Sequence, residues 1–153
     1  MPTITDPQVA ALRAFLVHDT DDIAALAYQL GEDGMMGYVR LAEAALSVAA
    51  KKRFAPQFTN ADLVKYVASV RASRLADGDE FDFDPVVGED VLRYSLGQNV
   101  THPLDVEPRL RAIVALLDGL ADTELSSEAD VDELLTEARR IADQWLTERK
   151  PGT

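Results

Sequence analysis

The chain holds two histidines, His18 and His102, and no cysteine, so its choice of metal and nucleophilic chemistry narrows at once. Without thiols there can be no disulfide, iron–sulfur cluster, thiolate zinc site or cysteine nucleophile. His18-Asp19 has the form of the central pair of an HD-type phosphohydrolase, but that metal site needs an earlier histidine and none precedes it. Neither histidine follows a glutamate by three residues, as the ligands of carboxylate di-iron bundles do. The zincin spacing His-Glu-x-x-His is absent as well. His18 is expected to close a helix, where the dipole favours it, and His102 to sit in a connector.

Residues 77–84, DGDEFDFD, concentrate five acids around Phe81 and Phe83, and clustered oxygens are what calcium requires. An EF-hand register starting at Asp77 puts Phe81 at the fifth position, Asp82 where glycine is needed and Gly88 where the bidentate glutamate belongs. A register starting at Glu80 puts Pro85 at the glycine position. The expectation is a solvated loop pinned by its aromatics, not a calcium site. For phosphate, Gly31, Gly34 and Gly37 are spaced by threes and lack the lysine-serine pair of a P-loop. Serines and threonines have no histidine at a suggestive spacing, and carboxylates are too numerous for one pair to stand out as acid and base. The sequence therefore leads us to expect no catalytic residue, no metal and no cofactor.

One positive signal remains. Residues 51–76 carry six basic groups, Lys51, Lys52, Arg53, Lys65, Arg71 and Arg74, against one acid, in a chain of net charge −12. Two accounts compete. Cations at a helix C-terminus complement its dipole, and the acidic loop 77–84 can neutralise them. Alternatively, the six form an anchoring patch for a partner. The first account is the plainer one. A pI near 4.4 and the absence of interleaved aromatics weigh against nucleic acid.

The elements that must position these residues read as helices throughout. Asp6-Pro7 is expected to cap the first, with Val9, Leu12 and Leu16 inward. A short second helix runs from about Thr20 to Leu30 and stops at Gly31. The third, about residues 35–54, is the organising element. Its polar residues Arg40, Glu43, Ser47 and Lys51 form one narrow stripe on a helical period, and nearly everything else from Val39 to Ala50 is apolar. Pro56 ends it. Thr59 with Asp62 opens a helix carrying Leu63, Tyr66, Val67 and Val70. Asp84-Pro85 opens the next, which stops at Gly97. A connector with two prolines precedes a helix through Leu110, Ile113, Val114, Leu117 and Leu120. The last runs from Ser127 to about Glu148, its apolar face ending in Trp145 and Leu146.

The fold expected is all-α, a single helical domain over 1–153 with six to seven helices packed around the central one. No run of 18 apolar residues and no basic-then-apolar start is present, so a cytoplasmic protein with no membrane association is expected. Arginine outnumbers lysine 11 to 4 and there are 22 alanines, a bias of the kind found in alanine- and arginine-rich bacterial proteomes; no motif defines a family. The function expected is a non-catalytic, protein-binding regulatory or accessory module whose acidic helical surface meets a basic protein partner. One alternative is an acidic inhibitor of a basic partner, of the immunity, antitoxin or DNA-mimic kind. The other is a small-molecule binder or enzyme with a pocket between helices. Homodimerisation through Trp145 and Leu146 is a further expectation, since that apolar face spans about five turns.

Overall fold

The computed structural model describes residues 3–17, 20–76, 83–97 and 106–148, with side chains described for all of these except 20–29, 32, 33, 106, 107 and 148. The all-α class holds: six helices and, among the described residues, no strand. They are α1 (Asp6–Leu16), α2 (Thr20–Phe54), α3 (Asn60–Ala76), α4 (Pro85–Ser95), α5 (Val106–Glu124) and α6 (Glu128–Glu148). The backbone divides into two compact units, residues 1–48 with 125–153, and residues 49–124. The first holds α1, most of α2 and α6, with α1 packed on α6. The second holds the last turns of α2 with α3, α4 and α5, and α4 packs on both α3 and α5.

The break expected at Gly31 is present, and the expected second and third helices meet there end to end, numbered together as α2. Gly31 has φ +66° inside α2, a left-handed conformation that a residue without Cβ adopts at little cost, and the helix resumes directly after it. Gly34 and Gly37 lie within the helix. Each meets α1: Gln8 Nε2 donates to the Gly34 carbonyl at 2.9 Å, and a Cβ on Gly37 would collide with the Gln8 amide. From Val39 to Phe54 the apolar residues are almost wholly buried; Leu41, Ala42, Ala44, Ala45, Leu46, Ala49 and Ala50 expose nothing. Glu43 and Ser47 are buried with them, and Glu43 pairs with Arg40 at 3.3 Å. Lys51 alone of the polar stripe is exposed.

Capping chemistry fixes most helix starts. Thr59 N donates to Asp62 Oδ2 at 2.9 Å while Asp62 N donates to Thr59 Oγ1 at 3.2 Å, the reciprocal box expected for α3. Asp84 Oδ1 accepts from Val86 N at 2.8 Å at the start of α4, and Ser127 Oγ accepts from Asp130 N ahead of α6. Two starts differ from expectation. The N-cap of α1 is Thr5, not Asp6: its hydroxyl accepts from Gln8 N and its own N–H donates to Gln8 Oε1 at 2.8 Å. α5 begins at Val106, so Pro108 lies in its first turn, where a missing N–H costs no helical bond.

Candidate functional site

α3 lies between a buried face and an open one. Leu63, Tyr66, Val67 and Val70 are buried, as their spacing requires. Tyr66 donates its hydroxyl to the Leu116 carbonyl of α5 at 3.2 Å, and its ring stands edge-on to Phe54 at 5.6 Å between centroids. Burial pushes its phenol well above the ordinary value of 10.0, against the opposing pull of the Arg53 cation. The opposite face is not polar. Ala61, Val64, Ala68, Ala72 and Leu75 recur at intervals of 3, 4, 4 and 3 residues and are all exposed, Val64 by 43% and Leu75 by 62%.

A groove of about 550 Å³, open to solvent, runs along the side of this strip. Arg53 and Phe54 from the end of α2, Asp62, Lys65, Tyr66 and Ser69 from α3, and Glu124 from the end of α5 line it. The Arg53 guanidinium lies 4.9 Å above the Tyr66 ring centroid and 5.7 Å from that of Phe54, and it faces Glu124 at 3.7 Å. Its stem and plane thus cover the aromatic pair while one edge remains in water, the behaviour expected of an amphipathic cation. Asp62 is held by the cap of α3, and Lys65 is exposed on the groove's edge.

The six cations singled out in the sequence do not make one patch. Arg53 and Lys65 share the groove. Lys51 and Lys52 are exposed on the last turn of α2. Arg71 is half-buried, and Arg74 is turned toward α5, 3.8 Å from Asp118. Trp145 and Leu146 are both half-buried. Of the acidic loop, Phe83 and Asp84 are described: Phe83 is buried, its ring so close to Gly88 that a Cβ there would stand 2.7 Å from it. Residues 77–82, His18, Asp19 and His102 lie outside the described residues, so whether that loop covers the basic segment does too.

Most of the described carboxylates of α6 are engaged within their own unit. Arg13 of α1 donates to Asp132 at 2.7 Å and to Glu128 at 3.2 Å. Asp143 accepts from Ile4 N at 2.6 Å, and Arg139 donates to the Ile4 carbonyl and to Asp6, both at 2.8 Å. Asp130 accepts from Ser126, and Glu137 pairs with Arg140. The outward strip of α3 was the feature missed from the sequence; its 3-4-4-3 spacing was visible there beside the inward set. Among the described residues, no group of three or more histidines and carboxylates is placed to hold a metal ion, and no helix is long and apolar enough to cross a membrane. No family model, curated protein or solved structure matches the chain.

Proposed function

We propose that the chain is a non-catalytic protein-binding module that engages its partner through the outward face of α3. The observation that carries this reading is the two-sidedness of that helix. An amphipathic surface helix turns polar residues to water, and a helix apolar on opposite faces is normally covered on both. α3 is covered on one. Single exposed apolar residues are ordinary, but Val64 and Leu75 lie eleven residues apart with alanines between them on the same face, a strip roughly 16 Å long at 1.5 Å per residue. The groove beside it is open, which suits a macromolecular surface better than a small ligand, whose sites typically bury most of it.

The regulatory or accessory role expected from the sequence placed the contact on an acidic surface meeting a basic partner. The engagement of Glu128, Asp132 and Asp143 of α6 by Arg13 and by the Ile4 amide shifts the weight to α3, because a carboxylate already accepting hydrogen bonds has less to offer a partner's cation. The test is position-specific crosslinking. A photoreactive residue at position 75, with the same residue at the exposed position 136 of α6 as control, is introduced into the full chain at its natural level of expression. A discrete protein adduct from position 75 and none from 136 is expected. No adduct from 75, or the same adducts from both positions, overturns the proposal.

A further inference from the structure

We infer that α6 carries a binding site for an extended segment of a partner protein, a site that the chain's own Ile4 occupies in the partner's absence. The inference goes beyond the α3 reading and stands independently of it. Ile4 precedes α1 and is 1% exposed, while Thr3 and Thr5 on either side of it are exposed. Both of its main-chain groups are bonded by side chains of α6 set about one helical turn apart. Asp143 Oδ1 accepts from the Ile4 amide at 2.6 Å, and Arg139 donates to the Ile4 carbonyl at 2.8 Å. One helix thus reads the donor and the acceptor of a single residue, as a neighbouring strand would, and the side chain of that residue is out of water. A charged partner on each group makes both bonds stronger than neutral ones.

Two features make this a site and not only an anchor. The donor is positioned from outside the segment it holds, since a second nitrogen of Arg139 donates to Asp6 of α1 at 2.8 Å. α1 in turn is fixed by contacts of its own: Arg13 to Asp132 and Glu128, Gln8 to the Gly34 carbonyl, and a fully buried Leu12. Its cap begins at Thr5, whose hydroxyl and amide both bond Gln8. Thr3 and Ile4 can therefore leave α6 with α1, its cap and the Arg139–Asp6 pair in place. What they vacate is an acceptor, a donor and an aliphatic cavity, which an extended segment with one aliphatic residue between polar neighbours completes. The occupant is a partner and not a second copy. Ile4 lies one residue, about 4 Å of chain, from the capped Thr5, so another copy's Ile4 would have to bring its own α1 onto ground that α1 already covers.

The experiment titrates acetyl-Pro-Thr-Ile-Thr-amide, the sequence of residues 2–5, into the isotopically labelled full chain and into its Ile4→Gly variant, with binding followed by NMR. Ile4→Gly should keep the helical circular dichroism spectrum and bind the peptide, with shifts at the amides of α6. Wild type should bind it at least about tenfold more weakly, because its apparent affinity is reduced by the fraction of chains whose Ile4 has left the site. In the Ile4→Gly background, Arg139→Ala should weaken binding at least about tenfold. N-methylation of the peptide's isoleucine amide, which removes the donor to Asp143, should do the same. Loss of the helical spectrum in Ile4→Gly overturns the inference, since Ile4 is then a structural member. So does an absence of peptide binding to that variant, equal binding to wild type, or binding that N-methylation or Arg139→Ala leaves unchanged. Self-association of wild type in sedimentation that disappears with Ile4→Gly overturns it in favour of a second copy.

Discussion

Residues 1–48 with 125–153 carry 6 basic and 14 acidic groups, while residues 49–124 carry 9 and 13, yet the unit of larger net charge is the one whose described charges are the more fully used in binding itself together. There, Arg13 joins α1 to Asp132 and Glu128 of α6, and Asp143 and Arg139 hold the amide and the carbonyl of Ile4. Residues 49–124 spend Arg53 and Arg74 on α5 but leave Lys51, Lys52 and Lys65 exposed, beside a helix that exposes Val64 and Leu75. Net charge is thus a poor guide to where a protein meets a partner. What decides is which charged and apolar groups remain uncommitted after the fold has formed.

The contrast can be broken at several points. The largest effect is expected inside residues 49–124, where a Gly88→Ala methyl would press on the Phe83 ring and on Val67. Overpacking of this kind costs about 1–3 kcal/mol, read as a fall in the urea midpoint; an unchanged midpoint would mean that the Phe83 contact is loose. Arg139→Ala should cost about 1 kcal/mol, mainly through the Ile4 carbonyl it leaves without its donor, since an ion pair to an acid as exposed as Asp6 contributes little.

Tyr66→Phe should also cost about 1 kcal/mol at neutral pH by removing the bond to the Leu116 carbonyl. It has a second signature. Burial raises the Tyr66 phenol above 10.0 and pushes Tyr38 up to about 12, so the folded chain keeps protons that the unfolded chain releases. The stability linked to them is present below pH 10 and is lost as pH rises beyond it. Stability measured from pH 8 to 11 should fall in the wild type and fall less steeply in Tyr66→Phe; parallel curves would show that the buried phenol does not titrate with unfolding. The smallest effect is expected for Leu75→Glu, within about 0.5 kcal/mol of wild type, because its side chain lies outside the core.

Much of this fold could be read from residue pattern because its signals are local. Thr59 with Asp62, and Asp84 before Pro85, announce α3 and α4 through bonds spanning two or three residues. The cap of α1 falls one position before the expected Asp6, at Thr5, where Thr5-x-x-Gln8 has the form of a capping box. The aspartate-proline pair beside it looked the stronger signal. Gly31 breaks the helix as expected, but what the chain does after such a glycine depends on tertiary partners. Gln8, buried against Gly34 and Gly37, is a contact 26 residues distant that no local pattern encodes. The candidate site was legible only in part, and for a related reason. Spacing identifies the larger apolar row of α3 as the inward one, while knowing that the second row is left open requires knowing what packs beside it.

The central claim is that the outward face of α3 has no structural duty, whereas the charges of α6 do. Thermal unfolding of Val64→Glu/Leu75→Glu beside Arg139→Ala tests it most directly. For a chain of this size about 1 kcal/mol corresponds to roughly 2–4 °C in Tm. The double variant should melt within about 2 °C of wild type while Arg139→Ala falls by about 2–4 °C. A double variant that unfolds well below Arg139→Ala would show that the α3 strip belongs to the core and would contradict the account.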